Sequence, residues 1–212
     1  MLLTFEGIDG SGKSTQARLL KERLEAEGEA PLLLREPGGT DLSERVRTLL
    51  LDPALHIEPF AELLLFSAAR AQLVAEQIRP ALAAGRIVLC DRFYDSTTAY
   101  QGSGRAVADW GWIRDFNQHV TGNLVPDRTY LVELDPKQAQ ARRAERQGAG
   151  NEDRMEAAGL AFQQRVAEAY HQLARAEPER FYILDGTQSI ASLHAQIWAD
   201  LQQGRARNTG ME

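Results

Sequence analysis

The chain's 212 residues, 43% of them hydrophobic and 25% charged, indicate one folded domain and exclude a disordered or fibrous protein. Its net charge of −6 argues against a general nucleic-acid-binding protein, because such proteins carry basic surfaces. No apolar run has the length of a membrane span and no signal-like segment opens the chain, so we expect a cytoplasmic protein that binds neither membrane nor nucleic acid.

Short apolar runs alternate with longer segments of helical periodicity, a pattern typical of βαβ units. The predicted strands are Leu2–Glu6, Pro31–Leu34, Ile87–Cys90, Thr129–Leu134 and Phe181–Leu184. The predicted helices run from Lys13 to about Glu27, from Pro59 to Gly85, from Asp153 to Ala176 and from Ile190 to Gln202. The second helix carries its apolar residues at Phe60, Leu64, Val74, Ile78 and Leu82. The sequence therefore predicts an α/β fold with a parallel sheet.

A single domain is expected over residues 1–204, followed by a polar tail, 205–212, that we expect to fray. Glycines at 148 and 150 interrupt arginine-rich helical sequence, which indicates a mobile lid at about 141–156. Cys90 is the only cysteine and lies in the apolar run that begins at Ile87, so we expect a buried bystander.

A phosphate-binding loop follows the first predicted strand and opens the first predicted helix. Two glycines, Gly7 and Gly12, are separated by four residues and followed by Lys13 and Ser14. Backbone N–H groups and the helix N-terminus can surround a β-phosphate, the lysine can reach the β- and γ-phosphates, and the Ser14 hydroxyl can bind Mg²⁺. The candidate nucleotide-binding residues of the loop are Gly7, Ile8, Asp9, Gly10, Ser11, Gly12, Lys13, Ser14 and Thr15.

Asp91 and Arg92 follow the third predicted strand, at the edge of the sheet where open α/β folds place their ligands. An arginine there can donate paired N–H groups to a phosphate, and Asp91 is a second candidate metal ligand beside Ser14. The pair by itself is a weak signal, because surface ion pairs are common.

Three further segments accompany the phosphate loop in order along the chain. They are Arg35-Glu36-Pro37-Gly38-Gly39-Thr40, Phe66 through Arg70, and Asp91-Arg92-Phe93 leading to Ala99-Tyr100-Gln101-Gly102-Ser103-Gly104-Arg105. From Leu3 to about Gln188 the chain resembles bacterial thymidylate kinase, and the ordered combination is far more specific than any one motif. The resemblance implies the three-layer P-loop NTPase fold, a five-stranded parallel sheet flanked by helices, and a homodimer. It also implies Mg²⁺-ATP as phosphoryl donor and dTMP as acceptor, giving dTDP in dTTP biosynthesis.

The resemblance assigns roles to matching positions. Phe66 is implied to stack on thymine and Arg70 to hydrogen-bond a thymine carbonyl, with Arg92 on the acceptor phosphate. The other implied acceptor-site residues are Glu36, Pro37, Thr97, Tyr100 and Gln101, with Arg105 as a further anion contact. Without the resemblance, Phe66 and Tyr100 would be interpreted as core aromatics and Arg70 as a solvated helix residue.

A carboxylate at Asp9, beside polyphosphate, requires a compensating cation. The resemblance places Asp9 at the acceptor sugar or at a metal-bound water network, and the phosphate loop carries no arginine of its own. The lid must then supply positive charge, and it offers Arg142, Arg143, Arg146 and Arg154. Our hypothesis is that Arg146 or Arg154 closes over the γ-phosphoryl while Arg142 lies near adenine. The stretch around Thr187, after the last strand, resembles the edge of the adenine site.

Two alternatives stay open. One is a kinase on the same scaffold that acts on another monophosphate or on a nucleoside. The other is a nucleotide-gated binding module, in which slow ATP hydrolysis is indifferent to any monophosphate. Leu63 or Ala71 could contribute to a dimer interface, but the sequence does not separate them from core positions.

Overall fold

Five strands form one fully parallel sheet in the computed structural model, which describes residues 1–147 and 154–209. The strands are β1 (Leu2–Glu6), β2 (Leu32–Arg35), β3 (Val88–Asp91), β4 (Arg128–Glu133) and β5 (Phe181–Asp185). Their order across the sheet is β2-β3-β1-β4-β5. The predicted α/β class and the five-stranded parallel sheet are confirmed, and every predicted strand lies within a residue or two of its observed position.

Helices cover both faces of this sheet. They are α1 (Lys13–Ala26), α2 (Asp41–Leu51), α3 (Pro59–Leu73), α4 (Arg79–Ala83), α5 (Tyr94–Thr97), α6 (Trp110–Thr121), α7 (Pro136–Gln147), α8 (Leu160–Ala176) and α9 (Ile190–Thr209). π-helical turns at Val74–Ile78 and Thr98–Gly104 join α3 to α4 and extend α5. Among the described residues, none of these helices is both long and apolar enough to cross a bilayer.

The three central strands, β3, β1 and β4, are largely buried on both sides, as expected for parallel strands. All of β1 is buried, and its alternate residues face opposite layers. Leu3 and Phe5 pack with Leu20 of α1 and Ile197 of α9, whereas Leu2 packs against the α3–α4 layer. Cys90 is buried in that second layer, as predicted.

The strand order creates a crevice. Strands β1 and β3 are neighbours in the sheet. After β1 the chain crosses toward one edge of the sheet to reach β2, and after β3 it crosses toward the other edge to reach β4. Between two such neighbours the following loops diverge, and ligands bind there in open α/β folds. The phosphate loop after β1 and Arg92 after β3 therefore meet at one place.

The helix boundaries differ from the prediction in four ways. Helices α2 and α6 were not predicted, and the helix expected from Pro59 to Gly85 is interrupted by a π-helical turn. Helix α8 begins at Leu160 instead of near residue 153, because Gly159 has a φ of 85°. Helix α9 continues past Gln202 to Thr209, and an ion pair of 2.7 Å joins Arg205 to Glu29.

Candidate active site

The phosphate loop has the backbone that only glycine adopts readily. Gly7 and Gly10 have φ values of 136° and 89°. A Cβ on either would lie 2.5 Å from a main-chain oxygen, that of Val132 for Gly7 and that of Ala139 for Gly10. Within the described parts of the chain no side chain caps the N-terminus of α1, and no acidic residue lies in its first turn, so its N–H groups are available to an anion.

Asp9 has two cationic partners. Lys13 Nζ lies 3.2 Å and Arg92 Nη2 2.7 Å from Asp9 Oδ1. Burial alone would raise the pKa of Asp9, but the charges of Arg92 and Lys13 outweigh burial and hold that pKa well below its usual range. The compensating charge expected from the lid is therefore supplied by Arg92 and Lys13 in this structure.

Arg92 is the centre of a hydrogen-bond network. Its Nη1 donates to Ser96 Oγ (3.0 Å) and Tyr170 Oη (3.2 Å), and its Nη2 also donates to Tyr100 Oη (2.9 Å). Its φ of 75° is unusual for a residue with a side chain. Such a conformation persists only where the surroundings fix it, and these bonds do so.

Glu6 lies beneath this network and was not singled out from the sequence. Its Oε2 accepts from Ser96 Oγ (2.6 Å) and Tyr170 Oη (2.7 Å), and its Oε1 accepts from the Phe93 N–H (2.7 Å). Burial, and next the charge of Asp95, raise the pKa of Glu6 to about 7. Its signal in the sequence is a charged residue that ends a buried strand whose other residues, apart from Thr4, are apolar.

The predicted acceptor residues, apart from Arg105, line one cavity. Its walls include Asp9, Glu36, Pro37, Phe66, Arg70, Arg92, Thr97, Tyr100 and Gln101, and also Arg47, Leu51, Ser96 and Met155, which sequence reasoning did not name. Phe66, Arg70 and Arg92 thus share a single hollow, and Asp9 connects it to the phosphate loop. Arg47 donates to the Pro37 carbonyl oxygen at 2.9 Å.

Arg70 is buried and fixed by three bonds. Its Nε donates to Glu36 Oε2 (2.6 Å), its Nη1 to Thr97 Oγ1 (2.5 Å) and its Nη2 to the Phe93 carbonyl oxygen (3.1 Å). A guanidinium has five N–H donors, and Nη2 also lies 2.6 Å from Glu36 Oε2, so one N–H, on Nη1, remains for a ligand. Burial raises the pKa of Glu36, although the charge of Arg70 opposes that rise.

Arg105 and Arg154 lie apart from the phosphate loop. Both form ion pairs with the buried carboxylate of Glu62, at 3.2 and 2.5 Å respectively, and Arg154 Nε also donates to the Leu50 carbonyl oxygen (2.9 Å). The structure therefore places neither of them at a phosphate position. The side chain of Arg146 and the lid residues 148–153 lie outside the described parts of the chain, so the hypothesis for Arg146 stays a prediction.

A second cleft lies on the other side of Asp9. It is lined by the phosphate loop from Asp9 to Gln16, by Arg142, and by Gly186, Gln188, Ser189, Ile190 and Leu193. Arg142 Nη2 donates to the Gly186 carbonyl oxygen (3.0 Å), and Arg143 Nη1 donates to the Asp9 carbonyl oxygen (2.6 Å). Helix α7 thus braces the loop. The Thr187 hydroxyl donates a hydrogen bond to Asp185 Oδ1 (2.7 Å), and Thr187 does not line this cleft.

The residues present fit a magnesium ion that is bound mainly by nucleotide phosphates. Ser14 and Asp91 line a common cavity, and Asp91 Oδ1 is buried without a hydrogen-bond partner among the described residues. No three His, Cys, Asp or Glu side chains cluster as a metal cage within the described ranges. Mg²⁺ needs no such cage, because it keeps several waters and takes few protein ligands.

Comparison with known proteins identifies the family of the chain. The family model for thymidylate kinase matches residues 5–197. The chain belongs to the thymidylate kinase family. It is 48% identical to thymidylate kinase of Deinococcus radiodurans over 203 residues, which cover 96% of this chain and 97% of the relative. It is 47% identical to the Chlorobium chlorochromatii enzyme over 210 residues, or 95% and 94% of the two chains.

A solved structure extends the similarity to three dimensions. The crystal structure of thymidylate kinase from Ehrlichia chaffeensis superposes with a TM-score of 0.77 at 35% identity, covering 95% of this chain and 98% of that one. Members of the family are nucleoside-monophosphate kinases, so the chain is a phosphotransferase on a P-loop scaffold, as the sequence predicted.

Proposed function

We propose that this protein transfers the γ-phosphoryl group of ATP to dTMP, giving dTDP and ADP for dTTP biosynthesis. The observation that carries the proposal is the junction at Asp9. This residue lines both the phosphate-loop cleft and the acceptor cavity, and it bridges Lys13 of one to Arg92 of the other. Two nucleotides bound in these spaces would meet with their phosphates at the junction.

The chain's own residues perform most of the work in such a transfer. Phosphoryl transfer depends on alignment and on neutralised charge, with little covalent help. The loop N–H groups and Lys13 orient the donor phosphates, Arg92 orients the acceptor phosphate, and Phe66 with Arg70 holds the base. Ser14 and Asp91 are the proposed holders of Mg²⁺, which when bound screens the charge of the donor phosphates. The acceptor is a phosphate oxygen and needs no strong base.

This proposal gives different roles to the arginines of the lid. Arg142 stays beside the donor cleft, where it contacts the last-strand loop. Arg154 contacts Glu62 on the acceptor side, because its guanidinium forms an ion pair with that carboxylate. Arg146 remains the proposed lid arginine for the γ-phosphoryl.

Residues 1–204 act as one kinase domain in the cytoplasm, with the lid at about 141–156.

A homodimer is also proposed, formed through an exposed aromatic face of α3 and α6. Phe60, Leu64 and Trp112 are 51%, 45% and 41% exposed, and the rings of Phe60 and Trp112 lie 6.2 Å apart. Contiguous exposed apolar surface of this kind marks interaction sites. Leu63, by contrast, is fully buried within the protomer. Leu64→Glu should yield monomers in sedimentation analysis, whereas Ile183→Glu, a control at another exposed position, should not.

The activity is tested by ADP release with dTMP, dUMP, dCMP, AMP and thymidine as acceptors. We expect turnover to be fastest with dTMP and negligible with thymidine, because Arg92 requires an acceptor phosphate. Preference for another monophosphate, or ATP hydrolysis indifferent to all five compounds, would contradict the proposal.

A further inference from the structure

Glu62 is a charged side chain that the catalytic scheme does not use. It lies in the first turn of α3 and is 0% exposed. Its carboxylate accepts from Gln101 Nε2 (2.8 Å), from Arg105 Nε and Nη2 (both 3.2 Å) and from Arg154 Nη1 (2.5 Å). A buried carboxylate is costly unless it is paired and hydrogen-bonded, and the two arginines provide that pairing.

This arrangement fixes the amide of Gln101. An ionised carboxylate only accepts hydrogen bonds, so the amide nitrogen of Gln101 must face Glu62. The amide oxygen of Gln101 is then the group that remains for another hydrogen bond. Gln101 lines the acceptor cavity, and no described side chain donates to its Oε1. Glu62 therefore determines that Gln101 offers the cavity an acceptor and not a donor.

Arg70 offers the opposite chemistry in the same cavity. It lines the wall with Gln101 and retains one N–H donor, on Nη1, after its contacts with Glu36, Thr97 and Phe93. The cavity thus presents one donor group and one acceptor group from separate elements. A base that carries a carbonyl next to an N–H matches this pair.

Pyrimidines differ at these positions. Thymine and uracil carry a carbonyl at C4 and an N–H at N3, whereas cytosine carries an amino group at C4 and an unprotonated N3. Cytosine in the same position would place its C4 amino donor against the N–H of Arg70 and its N3 acceptor against the amide oxygen of Gln101. A buried polar group left without a partner costs more than a made bond gains, so such a mismatch discriminates strongly.

We propose that Glu62 is a positioning residue for base specificity: by holding the Gln101 amide it makes the cavity select 4-oxo pyrimidine monophosphates over 4-amino ones. The inference rests on the proposed function, because it concerns the acceptor site of that reaction. It assigns no preference between dTMP and dUMP, which share this edge of the base.

The test is Glu62→Gln, whose amide can donate as well as accept and so lets the Gln101 amide rotate. We expect the ratio of kcat/KM for dTMP to that for dCMP to fall by roughly tenfold or more, through the KM of the monophosphates. The ratio of dTMP to dUMP and the KM for ATP should stay unchanged. Asp200→Asn, which breaks a distant ion pair with Arg128, is the matched control and should alter neither ratio.

Arg105 and Arg154 lose a counter-charge in this variant, so its folding is checked by thermal melting. Gln101→Met provides the second measurement, since it removes the amide and leaves Glu62 in place. It should lower the dTMP to dCMP ratio by a similar factor, and the double variant should lower it no further. An unchanged ratio in folded Glu62→Gln, or in Gln101→Met if the first variant does not fold, overturns the inference. An equal loss of kcat/KM for dTMP, dCMP and ATP also overturns it. A wild-type protein without dTMP kinase activity refutes the proposed function instead.

Discussion

The carboxylate beneath Arg92 predicts how the stability of the protein depends on pH. Burial, and next the charge of Asp95, raise the pKa of Glu6 from 4.5 to about 7, while Arg92 opposes the rise. Between these two values the folded protein binds more protons than the unfolded chain. The free energy of unfolding must therefore decrease as the pH rises through this window.

The size of the effect follows from the shift. One pKa unit corresponds to about 1.4 kcal/mol, so the difference between 4.5 and about 7 amounts to roughly 3 kcal/mol of stability lost between pH 4.5 and pH 8. Asp9 does not contribute, because its lowered pKa keeps it ionised throughout this range. Glu36 contributes in the same direction as Glu6, since burial raises its pKa too.

The variant Glu6→Gln isolates the contribution of Glu6. A glutamine can accept from the Phe93 N–H and donate to the hydroxyls of Ser96 and Tyr170, but it does not titrate. Urea unfolding at intervals from pH 5 to pH 8 should show a smaller decline than in the wild type, by on the order of 2 to 3 kcal/mol. Glu44→Gln is the control, because its pKa is lowered by the Gly39 N–H and it titrates below this range. Equal declines in wild type and Glu6→Gln would refute the assignment.

Two further predictions concern the phosphate junction. Arg92→Ala should lower kcat with dTMP by about 10³-fold while the Kd for ATP, measured by calorimetry, changes little; normal turnover would remove Arg92 from the acceptor site. Gly10→Ala should raise the KM for ATP, because its Cβ would lie 2.5 Å from the Ala139 carbonyl oxygen. Gly28→Ala is its control, as Gly28 shares a positive φ of 86° but has no atom of a described residue within 4 Å of the added Cβ; equal effects of the two on the KM for ATP would exclude the contact as the cause.

The sequence predicted those parts of the site that depend on local order. Gly7, Gly12 and Lys13 are adjacent to a strand and a helix, so their context is visible in the chain itself. The same holds for Arg92, which directly follows a buried strand. The acceptor roles of Phe66 and Arg70 came from family resemblance, and their spacing of four on α3 places them on one helix face.

What the sequence did not predict depends on contacts between distant segments. Glu62 extends the same spacing of four by one more turn, which marks it as a residue of the same helix face. Its partners Arg105 and Arg154, however, are 43 and 92 residues away. Local periodicity carries no information on such pairs. The sequence assigns Arg154 to the γ-phosphoryl because it lies in an arginine-rich segment that resembles the lid of the family.

The junction at Asp9 explains why an acidic residue lies among phosphate-binding groups. Four of the five N–H donors of Arg92 are engaged here, and Asp9 also takes Lys13. Asp9 lies between the buried Lys13 and the partly buried Arg92, two cations that would otherwise repel each other. Phosphates that arrive take over part of this role, so binding is an exchange of anionic partners for Lys13 and Arg92.

Removing the charge of Asp9 should therefore separate stability from binding. Asp9→Asn leaves Lys13 and Arg92 close together without a carboxylate, and the unliganded protein should lose roughly 1 to 3 kcal/mol of stability. ATP should then raise the Tm of Asp9→Asn by more than it raises that of the wild type, because its phosphates supply the missing charge. Differential scanning fluorimetry with and without ATP measures both quantities. An equal or smaller shift in the variant would mean that Asp9 does not compete with phosphate for these cations.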